Sequence, residues 1–127
     1  MLSTTEAFSG MSTNDIGASR KFYEDTLGIP VEDSGVGAIT LQLDSGAVVY
    51  IYSKPDHVAA AYTVLNFPVA DIDTAVDELV AKGVTFAHYE GAHQDAKGIA
   101  RGKAAGHGPD IAWFTDPGGN ILSVLTN

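Results

Sequence analysis

The side chains able to do chemistry are few, and most of them sit close together. His88-Tyr89-Glu90-Gly91-Ala92-His93-Gln94-Asp95 holds two imidazoles and two carboxylates in one short stretch. On an extended strand His88 and Glu90 share a face, and His93 and Asp95 could curl back from the following loop. Such a set could ligate a metal or move a proton. A solvated loop edge of the same composition would do neither, and no defined ligand spacing decides between the two. His57 follows Lys54-Pro55-Asp56 and reads as a connecting loop, while His107 lies between glycines as a surface residue. Gly35-Val36-Gly37 reads as a turn, and Gly102-Lys103 lacks the upstream glycine spacing of a phosphate cradle. No nucleophile elbow or dinucleotide fingerprint is present.

The composition narrows the field further. The chain has 127 residues, 45% of them hydrophobic and 18% charged, which fits one compact domain with a real core. Sixteen acidic against seven basic residues give a net charge of −9. The basic residues are scattered, so a nucleic-acid partner is not expected. The acidic balance serves solubility and is compatible with a cationic ligand. With no cysteine, disulfides, thiolate metal sites and cysteine nucleophiles are all excluded. The first ten residues lack the pattern of a secretory leader, and no run approaches the ~18 apolar residues of a membrane span. A cytoplasmic protein without a membrane partner is expected.

The elements that must position any site come in two similar sets. An extended segment from Ala7 to Thr13 leads through Asn14-Asp15-Ile16 into a helical pattern that ends at Leu27-Gly28. Thr63 to Val69 leads through Ala70-Asp71-Ile72 into a helical pattern that ends at Lys82-Gly83. In both, an Asp can accept a free N–H of the first turn and a Gly can close the last. Ile72, Ala75, Val76, Leu79 and Val80 make one apolar stripe, and Ile16, Phe22, Tyr23 and Leu27 a less regular one. Strands are expected over Ile29–Asp33, Ala38–Leu43 and Ala47–Ser53, with a tight turn at Asp44-Ser45-Gly46. The second set predicts Val84–Tyr89, Asp110–Thr115 and Asn120–Thr126, the last two joined by Asp116-Pro117-Gly118-Gly119. The chain therefore reads as α+β, two βαβββ modules over 7–53 and 63–126. The second carries an insertion, 90–109, with a short strand around Ile99–Lys103. The insertion reads equally as a flap over a pocket or as a plain exposed loop.

Three stretches carry a family resemblance: Asp15 to Gly28, Val69-Ala70-Asp71-Ile72, and Trp113-Phe114-Thr115-Asp116-Pro117-Gly118-Gly119-Asn120. A helix with Phe-Tyr and a closing Leu-Gly, plus a late strand running into Asp-Pro-x-Gly-Asn, resembles the vicinal oxygen chelate superfamily. That group holds glyoxalases, bleomycin-resistance proteins and extradiol dioxygenases. The resemblance implies a single domain whose modules form a curved sheet cupped around a cavity. Family members commonly dimerise, so a homodimer is expected. The resemblance also implies up to four metal ligands, usually His and Glu or Gln, one on each of four strands. Counted from Asp15, Asp71, Gly46 and Asn120, those positions fall on Phe8, Val64, Tyr50 and Ser123. None is a good ligand for a divalent metal, and a two-residue slip to Gly10, Asn66, Tyr52 or Leu125 does not repair the set. No metal or other cofactor is expected.

What the cup offers instead is aromatic. Phe8, Tyr50, Tyr52 and Trp113 are candidate pocket residues, with Asn66 and Ser123 as polar anchors. The alternative for the rings is that they fill the cup as core. Tyr50 and Tyr52 share one face by the two-residue period of a strand. The expected function is metal-independent binding of a small, partly aromatic or cationic molecule. The alternative is a glyoxalase- or dioxygenase-like enzyme with a non-standard or metal-free site, with His88 and Glu90 as its acid–base residues.

Overall fold

The computed structural model describes residues 1–127. The chain divides into two compact units, Met1–Ala59 and Ala60–Asn127, and each is described on its own. No helix is long and apolar enough to cross a membrane.

The first unit runs β1 (Ser9–Thr13), α1 (Ile16–Lys21), β2 (Val31–Asp33), β3 (Ala38–Gln42) and β4 (Val48–Ser53). Its sheet has the order β1-β4-β3-β2, with β1 parallel to β4 and the other pairs antiparallel. Asp15 caps α1, accepting from the Ala18 N–H at 3.0 Å. The helix expected to reach Leu27 changes character at Phe22: Phe22–Thr26 is one π-helical turn, with the Leu27 N–H bonded to the Phe22 carbonyl. Gly28 then takes the positive φ of 69° that ends it. Alternation along β3 and β4 sends Ile39, Leu41, Val49 and Ile51 to one face, where with Tyr23 they form a buried core. Ser19 on α1 donates to Thr13 Oγ1 at 2.8 Å, so both buried hydroxyls are satisfied where helix meets sheet. The Asp44-Ser45-Gly46 turn forms as expected, with the Gly46 N–H on the Leu43 carbonyl.

The second unit runs β5 (Thr63–Pro68), α2 (Ile72–Ala81), β6 (Ala100–Arg101), α3 (Gly102–Ala105), β7 (Asp110–Thr115) and β8 (Ile121–Thr126). The sheet order is β5-β8-β7-β6, again with one parallel pair, β5 with β8. Asp71 caps α2 through the Thr74 N–H and hydroxyl. Ile72 and Val76 are buried, but Val80 is 54% exposed, so the apolar stripe is narrower than its spacing predicts. Phe114 packs edge-on against Phe86 beneath this helix, and Ala112, Leu122 and Val124 complete the core. At the hairpin, the Asp116 carboxylate accepts from the Gly118 and Asn120 N–H groups and from Asn120 Nδ2. The turn read from Asp116-Pro117-Gly118-Gly119 is thus tied by its first side chain.

One expected strand is absent. Val84–Tyr89 keeps strand-like alternation, with Val84 and Phe86 buried, but forms no ladder. It bonds β7 only once, from the Ala87 N–H to the Trp113 carbonyl at 2.8 Å, and the Gln94 side chain takes neighbouring backbone groups: its Nε2 donates to the Ala87 and Gly98 carbonyls, and its Oε1 accepts from the Tyr89 N–H. The ladder beside the start of β7 is made by Ala100–Arg101, within the range where a short strand was expected in the insertion.

Candidate functional site

Each sheet has one face against its helix and one face away from it, and the candidate pocket residues fall mostly on the latter. In the first unit, register pairs Tyr50 with Gly10 and Thr40, and Tyr52 with Ser12 and Ala38. Glycine at position 10 leaves Tyr50 no side-chain neighbour on that strand, and the ring meets Phe8 instead, edge-on with centroids 6.2 Å apart. Tyr50 and Tyr52 stack at 6.0 Å and 27°. Phe8 is 62% and Tyr52 41% exposed, so these rings do not form a filled core within their unit. Ser12 and His57 share a hydrogen bond beside Tyr52. The sequence marks His57 only as a loop residue, because nothing local signals a contact across 45 positions.

In the second unit Ser123 of β8 lies between Asn66 of β5 and Trp113 of β7. Ser123 is fully buried and donates to Asn66 Oδ1 at 2.6 Å. Trp113 is half-buried and meets the Tyr89 ring edge-on at 5.7 Å. The register shifts between Thr63 and Leu65, which leaves Val64 unpaired in the ladder.

The His88–Asp95 stretch does not gather. His88 lines a recess of about 390 Å³ beside α2 with Val76, Val80, Phe86 and Lys97, whereas Tyr89, the next residue, packs on Trp113. His88 and Glu90 are both exposed. Asp95 is committed to the loop, accepting from the Lys97 and Ile99 N–H groups and from Arg101 Nε. No group of three or more His, Asp or Glu side chains is placed to hold a metal ion. The positions that the resemblance marks for ligands carry Phe8, Tyr50, Val64 and Ser123. Two of these have no donor atom and the other two only a hydroxyl, so the residues present do not fit a divalent metal.

The charged residues of the insertion have a different task. Arg101 grips Asp73 of α2 through both guanidinium NH groups, at 2.9 and 3.0 Å, and Lys97 bridges Asp73 and Asp77. Hydrogen bonds from Arg101 and then Lys97 hold the Asp73 carboxyl well below the usual carboxylate range. Burial pushes Asp95 upward, but the bonds from Ile99, Arg101 and Lys97 together bring it below its ordinary value. Asp77 and Asp73 raise Lys97, and Asp73 is the main cause that raises Arg101. A carboxylate with a lowered folded value contributes stability above its unfolded value and loses it as pH falls through the folded one. The 95–101 segment should therefore stay tied to α2 through mild acid and come loose only in strong acid. Asp73→Asn should loosen it at neutral pH, with several-fold faster amide hydrogen exchange at Lys97 and Ile99.

Comparison with known proteins bears on this arrangement. No curated protein sequence matches the chain. Among solved structures, it is similar to a putative glyoxalase family protein from Bacillus anthracis, at 17% identity and TM-score 0.66, covering 100% of this chain and 99% of that one. It is also similar to an integron cassette protein from the mobile metagenome of V. cholerae, at 21% identity and TM-score 0.63, covering 99% and 98%. A glyoxalase/dioxygenase from Nostoc punctiforme shares 15% identity at TM-score 0.66, covering 98% and 91%. At such identities these likenesses speak to the fold. The model of the Glyoxalase/Bleomycin resistance protein/Dioxygenase superfamily matches residues 7–124. With two βαβββ modules and a match across nearly all of both, the chain belongs to the glyoxalase/bleomycin resistance protein/dioxygenase superfamily.

Proposed function

We propose that this protein is a metal-independent small-molecule-binding protein of the glyoxalase/bleomycin-resistance type, acting as a cytoplasmic homodimer. The faces of its sheets turned away from the helices receive a planar or cationic organic molecule. The observation that carries this reading is the array Phe8, Tyr50 and Tyr52, in which Tyr50 meets both other rings and all three are left partly exposed. Ligand sites are mostly apolar and aromatic with a few placed polar groups, and Ser12, paired with Tyr52 in register, supplies such a group beside these rings. Ring faces attract cations, and the net charge of −9 favours the same partners at long range. A glyoxalase- or dioxygenase-type reaction would need a metal to hold substrate oxygens, and the donor set described above does not fit one.

Thermal unfolding tests this reading. A molecule that binds only the folded chain stabilises it by about 2.7 kcal/mol at a hundred times its Kd. Planar aromatic amines should raise the unfolding temperature in a dose-dependent way, and Zn, Ni, Mn or Fe(II) salts should not. One metal ion per chain binding with clear stabilisation would overturn it.

A further inference from the structure

Ser123 is fully buried, yet its hydroxyl ends on Asn66, which is exposed. Because the hydroxyl donates to Oδ1 at 2.6 Å, the amide oxygen is turned inward and the Nδ2 hydrogens are turned out. An unrestrained surface asparagine would offer donor or acceptor as the occasion required; this one is set as a donor. Trp113 stands two strands away on the same face, on the other side of Ser123 in register, its indole steadied edge-on by Tyr89. Ile111 and Leu125 follow on the same face, so the N–H pair adjoins apolar surface, where a hydrogen bond counts for more than in open water.

We propose that this face of the second module is a subsite for a hydrogen-bond acceptor oxygen (carbonyl, amide or carboxylate) on a planar molecule. The plane lies against Trp113, and the oxygen takes its hydrogen bond from Asn66 Nδ2. Ser123 is a positioning residue: it sets which end of the amide faces the ligand. The inference rests on the reading that these sheet faces bind small molecules, and adds the polarity that one of them selects.

Trp113 is the only tryptophan, so its fluorescence reports on this face alone. The probes are benzamide, benzoate and benzylamine, which share a ring and differ in the polar group. Benzamide and benzoate should perturb the emission saturably, with benzylamine at least tenfold weaker. Asn66→Asp is nearly isosteric and replaces the donors by an acceptor. It should weaken benzamide and benzoate at least tenfold, about 1.4 kcal/mol, and strengthen benzylamine. Ser123→Ala should narrow the ratio between benzamide and benzylamine, a selectivity that a merely structural role would not move. An unchanged order of the three probes in Asn66→Asp would overturn the proposal. So would equal binding of benzylamine and benzamide to the wild type, although the general binding reading would then stand. Silence from all three probes would also overturn it, and the Tyr50 and Tyr52 variants would show whether the broader reading falls as well.

Discussion

Replacing Tyr50 and Tyr52 together with alanine is expected to weaken ligand binding about 100-fold or more while leaving the fold in place. Each ring can contribute on the order of 1.5 kcal/mol through area and ring geometry. Losing both removes roughly 3 kcal/mol, which is about two powers of ten in Kd. The fold should tolerate the change because the core of that unit is on the other face, in Ile39, Leu41, Val49 and Ile51. Tyr52 is 41% exposed already, and strand propensity puts the cost of such surface exchanges at about 1 kcal/mol. The checks are the amount of organic molecule that co-purifies with the variant, and its urea unfolding. Undiminished ligand in a folded variant would remove the aromatic array from the account.

Phe114→Ala should have the largest effect on stability, about 3–5 kcal/mol, the usual cost of emptying a buried aromatic site. Phe114 is 1% exposed and packs on Phe86, which lies in a segment with no ladder of its own. The cavity would therefore open beneath residues held by packing, by the Gln94 side chain and by one backbone bond from Ala87 to Trp113. A loss of this size is a large share of the ~5–15 kcal/mol that holds a typical domain together. Urea unfolding followed by circular dichroism measures it; a loss under about 1 kcal/mol would mean that the site collapses around the smaller residue.

What the sequence reveals, and what it does not, divides by distance along the chain. Tyr50 and Tyr52 were placed on one face by the period of a strand, and the Asp15 and Asp71 caps and the turns at Gly46 and Asp116 follow from local chemistry. Such features depend on neighbours a few positions away. The failures are long-range. Val84–Tyr89 has the residues of a strand and bonds β7 once, through the Ala87 N–H, yet Gln94 takes the Ala87 carbonyl and the Tyr89 N–H, a competition that alternation cannot reveal. Asp73 lies in the first turn of α2, and its hold on Lys97 and Arg101 spans 24 and 28 positions, beyond any local signal. In the run from His88 to Asp95 the sequence left a chemical role and a solvated loop edge both open; the backbone sets His88 beside α2 and bonds Asp95 into the loop, a separation that composition cannot show. The Ser123–Asn66 bond could be suspected only once β5 and β8 were known to pair.

The central claim, an organic ligand without a metal, is tested most directly by native mass spectrometry of the protein purified from cells without chelator. One spectrum reports oligomer mass, metal content and any retained small molecule. The account predicts a metal-free dimer carrying an organic adduct that is lost in the Tyr50→Ala, Tyr52→Ala double variant. A stoichiometric Zn, Ni, Mn or Fe adduct would contradict it.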